Sequence, residues 1–123
     1  MFVVGNERDH VAPWRSVYKI HYLSNTEVTF VLTSGGHNAG IVSEPGRPRR
    51  RYRIAVKEAD GLCDSPDQWA EMAEAKPGSW WEAWTGWLRA HSAPEPVRPP
   101  SMGAPKKGYR PVANAPGTYV HQR

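Results

Sequence analysis

"FVLTSGGHNAG", residues 30–40, runs a β-branched and aromatic segment into a glycine pair, a histidine and a further glycine. Glycine accepts positive φ and has no Cβ, so such a turn can bring a side chain to a sheet edge without a clash. Upstream of the turn, EVTFVL at 27–32 has strand character, and MFVVG at 1–5 is a short apolar run ending in Gly5. Between them lies PWRSVYKIHYL at 13–23. Pro13 suits a first helical turn, and Trp14, Val17, Tyr18 and His21 fall at helical spacing on one face. The order strand, helix, strand predicts one βαβ unit, whose strands are parallel and covered on both faces. The class is α/β.

The remainder reads as a basic loop, two short helices and a tail. RPRRRYR at 47–53 contains Arg47, Arg49, Arg50, Arg51 and Arg53, with Pro45, Gly46 and Pro48 marking a loop. Guanidinium forks match phosphate oxygens, so an anion site is one reading and a solvated charge run the simpler one. SPDQWAEMAEA at 65–75 predicts a helix with Ser65 as cap, Pro66 in the first turn and acidic Asp67, stopping near Pro77. SWWEAWTGWLRA at 79–90 predicts another, with Trp80, Trp84, Trp87 and Leu88 on one face. That wall of indoles is read as packing against the fold, although aromatic walls also bind sugars or bases. Residues 92–123 carry seven of the twelve prolines and read as an extended tail, with Tyr109 and Tyr119 as candidate anchors to a surface.

Composition narrows the class further. With 123 residues, 39% hydrophobic and 23% charged, the chain fits one soluble globular domain. Its apolar runs are far short of the roughly 20 residues a spanning helix needs, and no signal-peptide pattern follows Met1, which points to the cytoplasm. The single cysteine, Cys63, excludes an internal disulfide and a Cys-rich zinc site. No metal site is read from the sequence. A net charge of +4 is mild, and no nucleic-acid motif accompanies the arginines.

Both predicted strands end in residues of one kind of chemistry. Asp9 and His10 follow the first and His37 follows the second. Parallel neighbours end on the same side, and in open α/β sheets the crevice beyond the carboxyl ends holds ligands and catalytic groups. A carboxylate that fixes an imidazole's tautomer leaves the other ring nitrogen to act as a base. The order Asp then His matches the last two members of the nucleophile, acid, histidine series of α/β-hydrolases. The alternative is a surface aspartate and a satisfied histidine that never meet. A nucleophile of that series would precede Asp9, where eight residues include neither Ser nor Cys.

ERDHVAPW at 7–14, FVLTSGGHNAGIV at 30–42, GSWWEAWTGWL at 78–88 and APGTYV at 115–120, in this order, resemble the C-terminal end of poly(3-hydroxyalkanoate) synthases, most like the class I enzymes. The resemblance covers nearly the whole chain. It implies the C-terminal fragment of an α/β-hydrolase fold: strand-helix-strand and two short helices in residues 1–91, belonging to the catalytic domain, then a Pro-rich tail at 92–123. In that family a cysteine attacks the thioester of an (R)-3-hydroxyacyl-CoA, and the acyl unit joins a growing polyester with release of CoA. No cofactor is implied. By the resemblance, His37 would be the general base, Asp9 would help activate the 3-hydroxyl directly or through His37, and His10 would support them from beside Asp9. Arg49, Arg50 and Arg51 would be candidate contacts for the CoA phosphates.

The family's Gly-x-Cys-x-Gly elbow is absent, and Cys63 in GLCDSP follows no predicted strand. The expectation is therefore a truncated or split synthase whose N-terminal portion is missing, inactive alone, in the cytoplasm or at the polyester granule surface. The alternative is a non-catalytic module that rides on granules or on a synthase partner. A small nucleic-acid binder is the weakest reading.

Overall fold

A computed structural model describes residues 1–122. The chain divides into a unit of Met1–Ser92 and a second unit that begins at Ala93. The first holds a four-stranded mixed sheet with strands β1 (Phe2–Asn6), β2 (Val28–Thr33), β3 (Arg51–Lys57) and β4 (Glu74–Pro77), adjacent in that order. β1 and β2 are parallel, paired from Phe2↔Thr29 to Asn6↔Thr33, as the βαβ reading requires. β3 runs antiparallel to β2, and β4 antiparallel to β3.

β2 is buried along its whole length because both of its faces are covered. Val28, Phe30 and Leu32 join Trp14, Tyr18, Trp69 and Ala73 on one face, while Val31 packs with Tyr52 and Trp80 on the other. Burying each large apolar side chain stabilises the fold by roughly 1.5–3 kcal/mol, which explains the unbroken apolar run at 30–32. Gly5 lets the first helix approach closely, since a Cβ there would lie 3.1 Å from the Cβ of Trp14.

The single helix expected over 13–23 is two short ones, α1 (Trp14–Val17) and α2 (Ile20–Leu23). Lys19, His21 and Tyr22 bond to carbonyls three residues back, which tightens the turn and stacks Tyr18 on His21 with rings 4.1 Å apart. Trp14, Tyr18 and His21 are buried, as their spacing predicts, and Val17 is half-buried.

A further short helix, α3 (His37–Ile41), follows the glycine pair. β3 and β4 correct the sequence reading. The arginine run is a loop only up to Arg50; from Arg51 it is strand, with Tyr52 and Ile54 packed into the core. The charges had hidden the alternation of Tyr52, Ile54 and Val56, which are good strand formers.

The helix capped by Ser65, α4 (Pro66–Met72), has the full capping box with Gln68 but ends early. Ala73 turns extended, and Glu74–Pro77 pairs with the free edge of β3. Backbone pairing, not residue preference, makes that strand. The last helix, α5 (Trp81–Ala90), begins after Trp80.

The second unit holds two single-turn 3₁₀ segments, Pro105–Lys107 and Tyr119–His121, and one bridge between Ala104 and Tyr109. Tyr109 and Tyr119 are both exposed. Among the described residues no helix is long and apolar enough to cross a membrane.

Candidate active site

β1 and β2 end level with each other, and the chain segments that leave them stay bonded. Glu7 N–H donates to Thr33 O at 3.0 Å and Arg8 N–H to Gly35 O at 2.9 Å, so residues 7–9 run beside the glycine turn. Gly35 has φ +133, and a Cβ there would lie 3.0 Å from Gly40 Cα. Only glycine lets the turn fold back so tightly, and the turn delivers His37 as the first residue of α3. The group it is presented to is Asp9.

His37 Nδ1 lies 2.9 Å from Asp9 Oδ2 and 3.1 Å from Oδ1. The Asp9 side chain is buried at 4% exposure, whereas that of His37 is 47% exposed. Asp9 Oδ1 also accepts from the backbone N–H groups of Val11 and Ala12, both at 2.9 Å, and Oδ2 accepts from Asn6 Nδ2 at 3.3 Å. The Ala12 amide foremost, with His37, Val11 and Asn6, holds the carboxyl well below its usual range, outweighing the burial that acts the other way. An ionised carboxylate only accepts, so the proton of a neutral His37 ring sits on Nδ1 and Nε2 keeps its lone pair. The arrangement is a half-exposed imidazole held by a buried carboxylate, with its second ring nitrogen free to accept a proton.

The helix that carries His37 is fastened at both ends. Asn6 Nδ2 donates to His37 O at 2.9 Å; Trp80 Nε1 donates to Gly40 O at 3.0 Å and Trp81 Nε1 to Ile41 O at 2.9 Å. Trp80 of the indole wall and Trp81 beside it thus act through their N–H groups as well as their area. Trp80 and Trp87 also pack on Phe2, with centroids 6.2 and 5.8 Å from its ring, while Trp84 and Leu88 stay partly exposed. A depression of about 310 Å³ opens beside the pair, lined by Val4, Ala12, Val17 and Ile41 with Asp9 and His37 at its polar side.

Asn6, Trp80 and Trp81 were not read from the sequence as parts of the site. The signal for Asn6 is a lone amide closing an otherwise apolar strand, which is equally the pattern of an ordinary turn residue. His10 is exposed, and the other donors to Asp9 are Asn6, Val11 and Ala12. Arg50 donates to Ser34 O at 3.2 Å and Arg51 pairs with Glu7 at 3.1 Å, so both guanidinium groups have partners within the fold. Arg49 is exposed at φ 60. Cys63 sits in a separate depression lined by Tyr18, His21 and Trp69. Among the described residues no cluster of His, Cys, Asp and Glu is suited to hold a metal ion.

No family model matches the chain. Curated relatives do. The chain is 35% identical over 122 residues to "Poly(3-hydroxyalkanoate) polymerase 2" of Ectopseudomonas oleovorans, covering 99% of this chain and 21% of that protein. It is 34% identical over 119 residues to "Poly(3-hydroxyalkanoate) polymerase subunit PhaC" of Cupriavidus necator, covering 97% and 19%. It is 35% identical over 125 residues to "Poly(3-hydroxyalkanoate) polymerase" of Methylorubrum extorquens, covering 100% and 19%. The chain therefore spans about one fifth of the length of the relatives it matches.

Proposed function

We infer that this chain, which corresponds in sequence to about one fifth of a poly(3-hydroxyalkanoate) polymerase, supplies the acid and base of that enzyme's acyl transfer from the C-terminal end of an α/β-hydrolase fold. The nucleophilic cysteine, the oxyanion donors and most of the substrate pocket come from the rest of the polymerase. The observation that carries this reading is the bond from His37 Nδ1 to the buried Asp9 carboxylate, which leaves a half-exposed ring with Nε2 as its base. β1 is an outer strand of the sheet, so the remaining strands of the complete fold would add at its free edge.

The chemistry follows in two half-reactions. His37 Nε2 takes the proton of the cysteine thiol. The thiolate attacks the thioester carbonyl of a 3-hydroxyacyl-CoA, and collapse of the tetrahedral intermediate expels CoA, which receives the proton. In the second half, the 3-hydroxyl of one unit gives its proton to the same nitrogen while its oxygen attacks an enzyme-bound acyl thioester. An ester bond forms, the bond to the cysteine sulfur breaks, and the sulfur leaves with the proton that the imidazolium returns to it. Asp9 stabilises the imidazolium that arises in both halves. A thiol of pKa about 8.5 is mostly protonated at neutral pH, so the base is needed in the first step.

The test is co-expression with the complementary four fifths of a polymerase, reading polymer mass and CoA release. Polymer formed with the parent chain and reduced by about a thousandfold or more in His37→Ala is the expected result. Undiminished polymer formation in His37→Ala would rule the role out. It would favour the second reading, a non-catalytic module associated with the synthase or its granule.

A further inference from the structure

We propose that Asn6 is a positioning residue for the Asp9–His37 pair, its amide holding the imidazole in register with the carboxylate and in the Nδ1–H tautomer. The catalytic consequence rests on the function proposed above; the tautomer does not. Asn6 closes β1 and is 4% exposed. Its Nδ2 donates to His37 O at 2.9 Å and to Asp9 Oδ2 at 3.3 Å. Both neighbours are acceptors, so the NH₂ must face them and the amide cannot be turned over. One planar group on a strand thus grips one member of the pair by its backbone and the other by its side chain.

The other half of the amide is unsatisfied. Asn6 Oδ1 is buried without a partner, packed so tightly on α3 that a Cβ on Gly40 would lie 1.9 Å away. An unpaired buried carbonyl is costly, and an apolar side chain of the same shape would fill the space without that cost. The nitrogen's two bonds account for an amide here. Without them, Asp9 keeps the Val11 and Ala12 amides and stays in place, but the first turn of α3 is free to shift against it. The Nδ1 contact then lengthens, and the Nε2–H tautomer, which an isolated neutral imidazole prefers, becomes populated. That form presents no lone pair at the nitrogen assigned as base.

The experiment uses ¹⁵N-histidine NMR on the full chain, co-expressed with the rest of the polymerase if it is insoluble alone, with circular dichroism as the check of folding. The parent should show His37 with its proton on Nδ1. Asn6→Leu, near in shape but without the amide, and Asn6→Ala should both show a mixture of tautomers. Gly40→Ala should do the same by displacing the amide, and in the double variant with Asn6→Ala it should add nothing further. In the reassembled polymerase Asn6→Leu should lower kcat by about a hundredfold, the size of a displacement near 1 Å, with KM unchanged.

A His37 that keeps Nδ1–H in folded Asn6→Leu and Asn6→Ala overturns the proposal. So does failure of both variants to fold, which would make the residue structural. If His37→Ala leaves polymer formation intact, the proposed function fails while the tautomer result still decides the role of Asn6.

Discussion

Asp9 is a buried anion surrounded by donors, and that surrounding makes stability depend on acid. Its carboxyl is held below the ordinary value by the Ala12 amide first, then by His37, Val11 and Asn6. In the unfolded chain the same group titrates near pH 4. Between that value and the lower folded one, the unfolded chain binds a proton that the folded chain does not, so acid favours unfolding. The stabilisation is complete above about pH 4 and is lost as pH falls through the depressed folded value. Asp9→Asn removes it. The gap in urea midpoint between parent and Asp9→Asn should be widest at about pH 5–7 and should shrink below about pH 4. A gap that is constant down to about pH 2.5 would show that the donors do not favour the anion over the neutral acid.

α3 has five residues and is too short to stand by itself, so its order comes from the groups that hold it. Trp80 and Trp81 are the clearest of these, donating to the carbonyls of Gly40 and Ile41. The indole wall is therefore two kinds of residue. Trp80 is 6% exposed and joins the core with Val31 and Tyr52, whereas Trp84 is 39% exposed. Trp80→Ala should cost about 3–5 kcal/mol in denaturant unfolding, from lost packing and an orphaned carbonyl. Trp84→Ala should cost less than about 1 kcal/mol. Equal losses would mean that the helix packs through its whole aromatic face. Trp81→Phe keeps a ring and loses only the donor, and should cost about 0.5–1.5 kcal/mol.

Across the whole molecule, the thiol of Cys63 and the imidazole of His37 stand apart. Cys63 lines the depression of Tyr18, His21 and Trp69, while His37 lines the one beside Asp9. Acyl transfer needs a nucleophile within hydrogen-bond reach of the base and donors preset for the oxyanion. The purified chain should therefore release no CoA from 3-hydroxybutyryl-CoA, followed by thiol detection with Cys63→Ser as the control for the protein's own thiol. Turnover by the parent that vanishes in Cys63→Ser would place Cys63 as a nucleophile and overturn the need for a complement.

Wherever local pattern and burial coincide, the residues alone declared the structure. The apolar run at 1–5, the β-branched and aromatic stretch at 27–32, the helical spacing of Trp14, Tyr18 and His21, and the Ser65 cap are readable because each depends on neighbours a few residues away. The parallel sense of β1 and β2 followed from the helical segment between them. What lay beyond reach depends on partners distant in the chain. β4 is a strand only because β3 offers it an open edge, and β3 was masked by arginines whose charges Glu7 and two backbone carbonyls receive. Likewise the sequence set Asp9 and His37 at two strand ends but left open whether they met. Their contact is decided by a turn at Gly35, a parallel register and an amide at Asn6, and no spacing along the chain encodes that convergence in space.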